Sequence, residues 1–416
     1  MTIEVEDPVE KSIGRFGKYQ IWIWLLLSIG RLPTEFQLAN VVFLLPSVDF
    51  VCADDGVHYE NATNLYGRRI AVVLALSTEV IFVGISAAVT ELWMFLLLRL
   101  LIGTAVGGTM LCCYVLIIEL SGKTFRPYLM GLIEISYIAG YLILPVVAYY
   151  VRDWRHLQLV TSLPWLFVLA YFWLIPESPR WLVTVGKKKD KHNKVITCVF
   201  IFAYRNNKPT DRIEEYVKEI EQQTRTERSQ KHGTYLDLFK TKRIRTYTIL
   251  MAIVWLCCAH TFFGVNQYIG RLQGNIYLNV MLSAASLAPA IIVCVLTNLY
   301  FRRKVSVISF FLIAASSLVL LTFTSNKNVV LSLAIIGQMG AFTAFVTIYL
   351  FTSEVFPTVV RNSAMGIASV FGRLGAFIAP FVVDIGVEWI SIVLFSSLAF
   401  IAAVLCLPII STYISN

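Results

Sequence analysis

Asn64-Leu65-Tyr66-Gly67-Arg68-Arg69 is the stretch that decides the fold, because it returns in the second half of the chain as Asn298-Leu299-Tyr300-Phe301-Arg302-Arg303. The likeness continues beyond the motif, at one constant offset. Glu119, Arg126, Gly131, Gly140 and Pro145 return as Glu354, Arg361, Gly366, Gly375 and Pro380. Two parallel halves in an apolar chain predict a transporter whose substrate site lies between the halves.

The composition predicts an all-α membrane protein. Hydrophobic residues make up 57% of the 416 residues and charged residues only 15%, with a mean hydropathy of +0.70. No soluble domain of this length needs so much apolar surface. Most of the ten weakly charged runs reach the length of about 20 residues that crosses a bilayer as a helix. They cover residues 70–89, 92–118, 128–151, 159–175, 246–264, 276–299, 305–323, 329–350, 364–383 and 389–410.

An eleventh apolar run, residues 21–46, is interrupted by charged, polar and proline residues. They are Arg31, Pro33, Glu35, Gln37 and Asn40. The run is too long and too interrupted for a secretory signal followed by a small-residue cleavage site, so we predict an uncleaved first helix.

Charge and hydropathy divide the chain into five predicted parts. They are a cytoplasmic arm (1–20), an N-terminal transmembrane half (21–175), a basic linker (176–245), a C-terminal transmembrane half (246–410) and a tail (411–416). The linker holds most of the net charge of +9, with 17 Lys or Arg against 9 Asp or Glu between Glu177 and Arg245. The positive-inside rule places it in the cytoplasm. Its short apolar stretch, Val195 to Tyr204, is predicted to pack as an amphipathic helix.

The first half has one apolar segment fewer than the second. Segments 246–264 and 276–299 precede or adjoin the repeated motif in the second half, whereas one segment precedes it in the first. Residues 47–69 instead carry four carboxylates, whose burial in hydrocarbon costs about 2.5 to 3.5 kcal/mol each. We expect that a helix is missing because the chain is a shortened product of a longer gene. The alternatives are that the N-terminus lies outside, or that segment 21–46 does not span.

Several motifs carry a family resemblance. Gly67-Arg68-Arg69 stands at a predicted cytoplasmic turn, and the others are Asp153-Trp154-Arg155, Pro176 to Leu182, Gly274 to Asn279, Thr352 to Asn362 and Arg373-Leu374-Gly375. Together they resemble the major facilitator superfamily and, within it, the organic cation, carnitine and organic anion transporters of solute carrier family 22. The resemblance implies two pseudo-symmetric helical halves, with about 11 transmembrane helices instead of 12. That family's second helix and first extracellular loop are absent.

The loop motifs predict a conformational latch at the cytoplasmic face. In each half an arginine of the motif can reach a helix C-terminus or a glutamate, in a pair that forms in one state and breaks in the other. The predicted gating residues are Gly67, Arg68, Arg69, Glu119, Arg126, Arg302, Arg303, Glu354 and Arg361. The alternative is that these arginines only anchor helix ends at the cytoplasmic side.

Arg373 is the main candidate for substrate recognition, because an ionisable group near the bilayer midplane needs a cavity or a partner. Its position resembles the one where cation transporters of this family carry Asp, whereas anion and carnitine transporters carry Arg. Guanidinium matches a carboxylate bidentately and stays charged, so we expect anionic or zwitterionic substrates. The alternative is an ion pair with Glu79, Glu134 or Glu35 that stabilises the bundle.

The remaining substrate candidates are polar or aromatic. Phe36 and Asn40 share one face of the first helix, and Glu134 is a candidate partner for a cation, a proton or an internal salt bridge. An aromatic wall for a flat or quaternary-ammonium substrate is predicted from Tyr137, Tyr141, Phe262, Phe263 and Tyr349. For every aromatic residue of this set the alternative is ordinary packing. His260 is interpreted as a satisfied core histidine rather than a proton relay.

The sequence therefore predicts a multi-pass carrier of small organic ions, in the plasma membrane, working by alternating access. No phosphate loop, HExxH or paired-cysteine motif is present, so we expect no enzyme activity, cofactor, metal site or nucleic-acid partner. The coupling ion, Na⁺ or H⁺, stays open. The alternatives are a sugar porter, disfavoured because His260 and Thr261 replace that group's paired glutamines, and a transport-dead isoform that regulates or assembles with an intact carrier.

Overall fold

The structure is a computed structural model that describes residues 8–14, 16–44, 67–122, 125–185, 189–229, 235–357, 359–385 and 387–409. Within those residues every regular element is a helix. The N-terminal elements are α1 (Pro8–Ile13), α2 (Lys18–Gly30), α3 (Leu32–Leu44), α4 (Arg68–Ser86), α5 (Leu92–Glu119), α6 (Arg126–Tyr150), α7 (Trp154–Ser162), a 3-10 helix (Leu163–Ala170) and α8 (Tyr171–Leu174).

Four helices lie in the linker: α9 (Pro179–Val185), α10 (Lys189–Arg205), α11 (Ile213–Ser229) and α12 (Asp237–Lys240). The C-terminal elements are α13 (Lys242–Arg271), α14 (Ile276–Tyr300), α15 (Arg303–Leu321), α16 (Lys327–Val355), α17 (Arg361–Asp384) and α18 (Glu388–Cys406).

Ten helical segments of the described chain are long and apolar enough to cross a membrane. They coincide with the ten runs predicted from hydropathy, and α7, the 3-10 helix and α8 together form one of them, Trp154–Leu174. The all-helical membrane fold is therefore confirmed. The polar stretch that the sequence analysis predicts in place of a helix falls mostly within residues 45–66, which lie outside the described ranges and include Asn64, Leu65 and Tyr66 of the repeated motif.

The eleventh run forms two helices instead of one. α2 ends at Gly30, Arg31 occupies a turn, and α3 begins at Leu32. Pro33 is the second residue of α3, where its missing N–H leaves no intrahelical bond unmade. The helix therefore breaks two residues before this proline.

The chain divides into two compact units. One contains Met1–Leu38, Ala53–Gly140 and Val151–Gln230, and the other contains Ala39–Cys52, Tyr141–Tyr150 and Lys231–Asn416. Most of the linker therefore belongs to the first unit.

The apolar face of α10 packs into the core of the first unit. Val199 and Phe202 are fully buried, and the ring of Phe202 lies 4.8 Å from that of Tyr19 on α2. The stretch Val195 to Tyr204 thus belongs to a longer amphipathic helix, as its composition predicts, and only one face of the stretch is buried.

In the second unit, α13 and α17 pack closely at two glycines. A Cβ at Gly375 would collide with the carbonyl oxygen of Leu256, and one at Gly372 would lie 3.2 Å from the ring of Trp255. Small residues allow such close backbone approach where lipid offers no hydrophobic driving force. This contact fixes the position of Arg373 next to α13.

Candidate functional site

The repeated motif forms an ion pair in the first unit. Arg68 begins α4, and its Nη2 lies 2.9 Å from a carboxylate oxygen of Glu119 at the end of α5. The Nε of Arg68 also donates to Glu119, at 3.1 Å. The two side chains are 13% and 16% exposed, so the pair is largely shielded from solvent. We name the Arg68–Glu119 pair the first latch.

A second carboxylate caps the same helix from the linker. Glu177 Oε1 accepts hydrogen bonds from the backbone N–H of Arg68, Arg69 and Ser178, at 2.8, 3.1 and 3.0 Å. The first two N–H groups lack intrahelical partners at a helix start, and a negative charge is favoured there. Burial nevertheless raises the pKa of the Glu177 carboxyl above its ordinary value, although the three N–H groups oppose this effect.

Gly67 allows this cap to form. Its φ is +111°, and a Cβ there would collide with Glu177 Oε2. Arg69 is not part of the ion pair; its guanidinium lies over the ring of Phe172, 4.8 Å from the centroid. The motif therefore divides its tasks among three residues: backbone geometry at Gly67, charge at Arg68 and stacking at Arg69.

The second unit repeats the ion pair, with Arg303 at the start of α15 and Glu354 in the last turn of α16. We name it the second latch. Arg303 follows Arg68 at the same sequence separation at which Glu354 follows Glu119, so the latches keep the constant offset of the repeat. The six-residue motif returns one residue short of that offset. As a result, α15 begins one residue later in the motif than α4 does.

The other predicted gating residues lie near these helix starts. Arg302 is exposed and precedes α15, and Arg361 begins α17 half-buried. Arg126 begins α6, but its side chain lies outside the described part of the structure.

Arg373 lies at the middle of its helix. α17 runs from Arg361 to Asp384, which places Arg373 about 18 Å from the start of the helix at about 1.5 Å per residue. α17 begins three residues earlier than the apolar run 364–383 predicts, so Arg373 lies farther from the start of its helix than the run suggests. Its side chain is half-buried.

Part of the predicted aromatic wall forms between α13 and α16. The rings of Phe262 and Phe345 stack at 5.4 Å, and Phe345 lies 5.6 Å from Tyr349. Tyr349 in turn lies 4.4 Å from Trp255, whose indole N–H donates to Thr352. Phe262 and Tyr349 therefore belong to one cluster, joined by Phe345 and Trp255, two residues that the sequence did not single out.

Tyr141 joins a polar group in the same unit. It is fully buried, and its hydroxyl donates to Asn266 Oδ1 on α13. Ser283 on α14 pairs with Gln338 on α16. Sequence analysis missed Asn266, Ser283 and Gln338. The available signal was their place as uncharged polar residues in apolar helices, where they need hydrogen-bond partners.

The remaining substrate candidates lie on α3 and α6. Phe36 is 1% exposed and contacts Trp165 edge to face at 5.4 Å, which agrees with the packing alternative. Tyr137 is 7% exposed. The backbone of Asn40 belongs to α3, but its side chain lies outside the described part of the structure. Glu134 is half-buried on α6 and interacts electrostatically with Arg31.

The glutamates proposed as alternative partners of Arg373 have partners of their own. Glu35 pairs with Arg31 at 2.8 Å, as their four-residue spacing predicts, and Glu79 accepts hydrogen bonds from two threonines. His260 is 2% exposed beside Phe395. This burial agrees with a core histidine, although its Nδ1 has no hydrogen-bond partner among the described residues.

Known transporters resemble this chain in sequence. The mouse organic cation/carnitine transporter 2 is 30% identical over 356 residues, covering 82% of this chain and 61% of the relative. A Drosophila melanogaster organic cation transporter protein is 29% identical over 331 residues, covering 78% and 60%. The chain thus spans about three fifths of the length of these relatives. They are transporters rather than enzymes.

Solved structures share the fold. The inward-open xylose transporter XylE from E. coli superposes with a TM-score of 0.70 at 17% identity, covering 94% of this chain and 96% of that one. The profile of the Major Facilitator Superfamily matches residues 61–380, which is most of the chain. With the paired latches and the ten spanning segments, this match shows that the protein is a multi-pass membrane protein of the major facilitator superfamily.

Proposed function

We propose that this chain carries small organic ions across a membrane by alternating access, and that it favours anions or zwitterions over cations. The observation that carries the proposal is Arg373, a half-buried guanidinium at the middle of an otherwise apolar membrane helix. An intramembrane charge of this kind marks a substrate or ion pathway by default.

The chemistry of Arg373 favours a carboxylate ligand. Guanidinium is planar, remains charged and presents paired N–H donors to a carboxylate. In the neighbouring cluster Trp255 and Phe262 are buried, whereas Phe345 and Tyr349 are half-buried and can offer aromatic faces to a flat or quaternary-ammonium group. A zwitterion that carries both groups therefore suits this part of the second unit.

The relatives support small organic ions as the substrate class. Two of the relatives are named organic cation transporter protein and organic cation/carnitine transporter 2, and carnitine carries a carboxylate as well as a quaternary ammonium. XylE, in contrast, supports the fold and not the substrate, because its identity to this chain is 17%. We place the protein in the plasma membrane, with the basic linker in the cytoplasm.

A second candidate is a transport-dead chain that regulates or assembles with an intact carrier. The observation that favours it is the carboxylate-bearing stretch 47–66, which stands where the second half has an apolar helix. A carrier that lacks a spanning helix loses part of the wall of its substrate path.

Uptake by cells that express the chain tests both candidates. We expect uptake of labelled carnitine or a dicarboxylate that exceeds uptake of tetraethylammonium and of xylose. Arg373→Asp is expected to abolish the carboxylate uptake at unchanged surface delivery, whereas Arg212→Asp in the exposed linker leaves it intact.

An unchanged substrate preference in Arg373→Asp contradicts the role of this arginine. Absence of all uptake with normal surface delivery contradicts transport and favours the regulatory candidate. In that case, capture of an intact carrier by the tagged chain is the confirming measurement.

A further inference from the structure

The first unit holds a cluster of buried ionisable groups away from the latches. Three carboxyl groups, from Glu35 on α3, Glu79 on α4 and Glu134 on α6, interact electrostatically with one guanidinium, that of Arg31. Glu35 and Glu79 are fully buried, and Arg31 is 4% exposed. We name these four residues the acidic cluster.

Arg31 forms a salt bridge with one of the three carboxyl groups, that of Glu35. Its Nη2 lies 2.8 Å from Glu35 Oε1, and no other carboxylate of the described chain forms a salt bridge with it. Glu79 has only neutral direct partners, because Thr34 and Thr109 donate to its Oε2 at 2.8 and 3.1 Å. Glu35 is thus bonded to a cation in the described chain, whereas Glu79 is not.

Glu35 and Glu79 each have one carboxyl oxygen without a hydrogen-bond partner in the described residues. They are Oε2 of Glu35 and Oε1 of Glu79. A buried acceptor without a partner is costly, and an ionised carboxylate in that condition is far more so. Oε1 of Glu79 is thus placed to carry a proton, with Oε2 as the carbonyl oxygen that accepts from the two threonines.

Among the described residues, the other helices that pack against α4 bring no cation that bonds to Glu79. α5 presents the thiol of Cys113, and its Arg99 donates to Gln37 at 2.8 Å. α8 presents the buried phenol of Tyr171, and the buried polar residues of α7 are uncharged: Gln158, Thr161 and Ser162. With three carboxyls and one guanidinium, the cluster keeps an excess of negative charge unless it takes up protons or another cation.

A metal ion fits poorly here. No group of three or more His, Cys, Asp or Glu side chains in the described residues is arranged to hold one. The free ligand atoms of Glu35 and Glu79 are two, fewer than the six to eight oxygens that calcium prefers or the octahedral set of magnesium. A proton needs only one of them.

We propose that Glu79 is the proton-binding site that couples transport by this chain to a proton gradient. This inference rests on the proposed function. A proton from the outer solution binds the ionised carboxylate, which becomes neutral, and the same proton leaves to the cytoplasm after the substrate is released. Glu79 joins α3, α4 and α5 through its two threonine bonds, so its charge state acts on the packing of three helices at once.

Proteoliposomes that contain the purified chain test the coupling. With an acidic exterior and a neutral interior, we expect labelled carnitine to accumulate up to about tenfold per pH unit for one proton per substrate. Glu79→Gln is expected to abolish this accumulation while counterflow exchange of carnitine continues. Glu214→Gln, at an exposed position of the linker, serves as the matched control and leaves both intact.

Three transport outcomes overturn the coupling. They are accumulation that ignores the pH gradient, accumulation that follows a sodium gradient instead, and Glu79→Gln proteoliposomes that still concentrate carnitine. Absence of counterflow in the unmodified chain contradicts the proposed function itself. Proton binding at Glu79 is then tested by a measurement that does not depend on transport.

Infrared difference spectroscopy of the purified chain provides that decision. We expect a buried protonated carboxyl band that titrates with pH and disappears in Glu79→Gln. Should that variant fail to fold, Thr109→Val keeps the carboxyl and removes one donor to its charged form, so the pH midpoint of the band moves upward. A band that is unchanged in both variants overturns the assignment.

Discussion

At the scale of single residues, Gly67 shows how the repeated motif acts through its backbone. Its positive φ is readily available only to glycine, and a Cβ would meet the carboxylate that caps α4. The counterpart before α15 is Arg302, with φ −65°, where a side chain is tolerated. The two copies of the motif therefore begin their helices differently, although both place an arginine beside a glutamate.

We expect Gly67→Ala to lower the free energy of unfolding by about 1 to 3 kcal/mol, because strain at positive φ adds to the loss of the Glu177 cap. Unfolding in mixed detergent micelles measures the change. Gly84→Ala in the same helix is the control, since a Cβ there meets only Ser162 Oγ at 3.6 Å. Equal stability of the two variants would contradict the role of Gly67.

Glu177 is expected to make stability depend on pH in a defined direction. Because burial raises its pKa in the folded protein, the folded state holds the proton more tightly than the unfolded chain does. Its contribution to stability is therefore greatest below the ordinary Glu pKa of about 4.3 and is lost as pH rises through the raised pKa.

The uncharged variant Glu177→Gln isolates this effect. We expect the melting temperature of the variant to improve relative to the unmodified protein as pH rises from about 4 to about 8. Measuring both proteins at each pH cancels the other titrating groups. A difference that is constant with pH, or that moves the other way, contradicts the assigned direction.

At the scale of helices, the two latches are the same contact made twice. Each joins the start of one helix to the end of the next, at equivalent positions of the repeat. A double-mutant cycle of Arg68→Gln and Glu119→Gln is expected to give a coupling energy of about 1 kcal/mol in detergent unfolding, because the pair is largely shielded. The cycle of Arg303 and Glu354 should give the same sign. Zero coupling energy in both cycles would contradict the latches and favour the alternative that these arginines only anchor helix ends at the cytoplasmic side.

The contact of α13 with α17 is expected to tolerate no side chain at Gly375. Gly375→Ala brings a Cβ against the Leu256 carbonyl and 3.1 Å from the backbone nitrogen of His260, and backbone cannot move aside cheaply. We expect a loss of about 1 to 3 kcal/mol in unfolding free energy. Gly366→Ala in the same helix meets only the Tyr235 side chain, at 3.2 Å, and serves as the control. A larger loss at Gly366 contradicts this packing.

The helices themselves were predictable, because a membrane span needs about 20 apolar residues and the sequence shows ten such runs directly. The pairing of Arg31 with Glu35 was predictable too, since four-residue spacing places them on one helix face. Partners from distant segments were not. Thr34 and Thr109 meet at Glu79, and Phe345 joins Phe262 to Tyr349, because helices that are far apart in sequence pack side by side. No local pattern encodes those neighbours.

At the scale of the whole molecule, the repeat predicts two halves, and the described chain forms two compact units. Each unit has its own latch and its own buried polar group: the acidic cluster in the first, and Tyr141, Asn266, Ser283 and Gln338 in the second. The sequence pointed to Arg373 through its depth in an apolar run. It held no signal for the charge imbalance around Glu79, which only the packing of α3, α4, α5 and α6 reveals.

Counterflow exchange of labelled carnitine in proteoliposomes made from the purified chain tests transport most directly, because it needs no other protein and no gradient. We expect transient accumulation of label in vesicles preloaded with unlabelled carnitine, and its loss in Arg373→Asp. Vesicles whose label never exceeds that of protein-free controls, although the chain is folded and inserted, would contradict the assignment of this protein as a carrier.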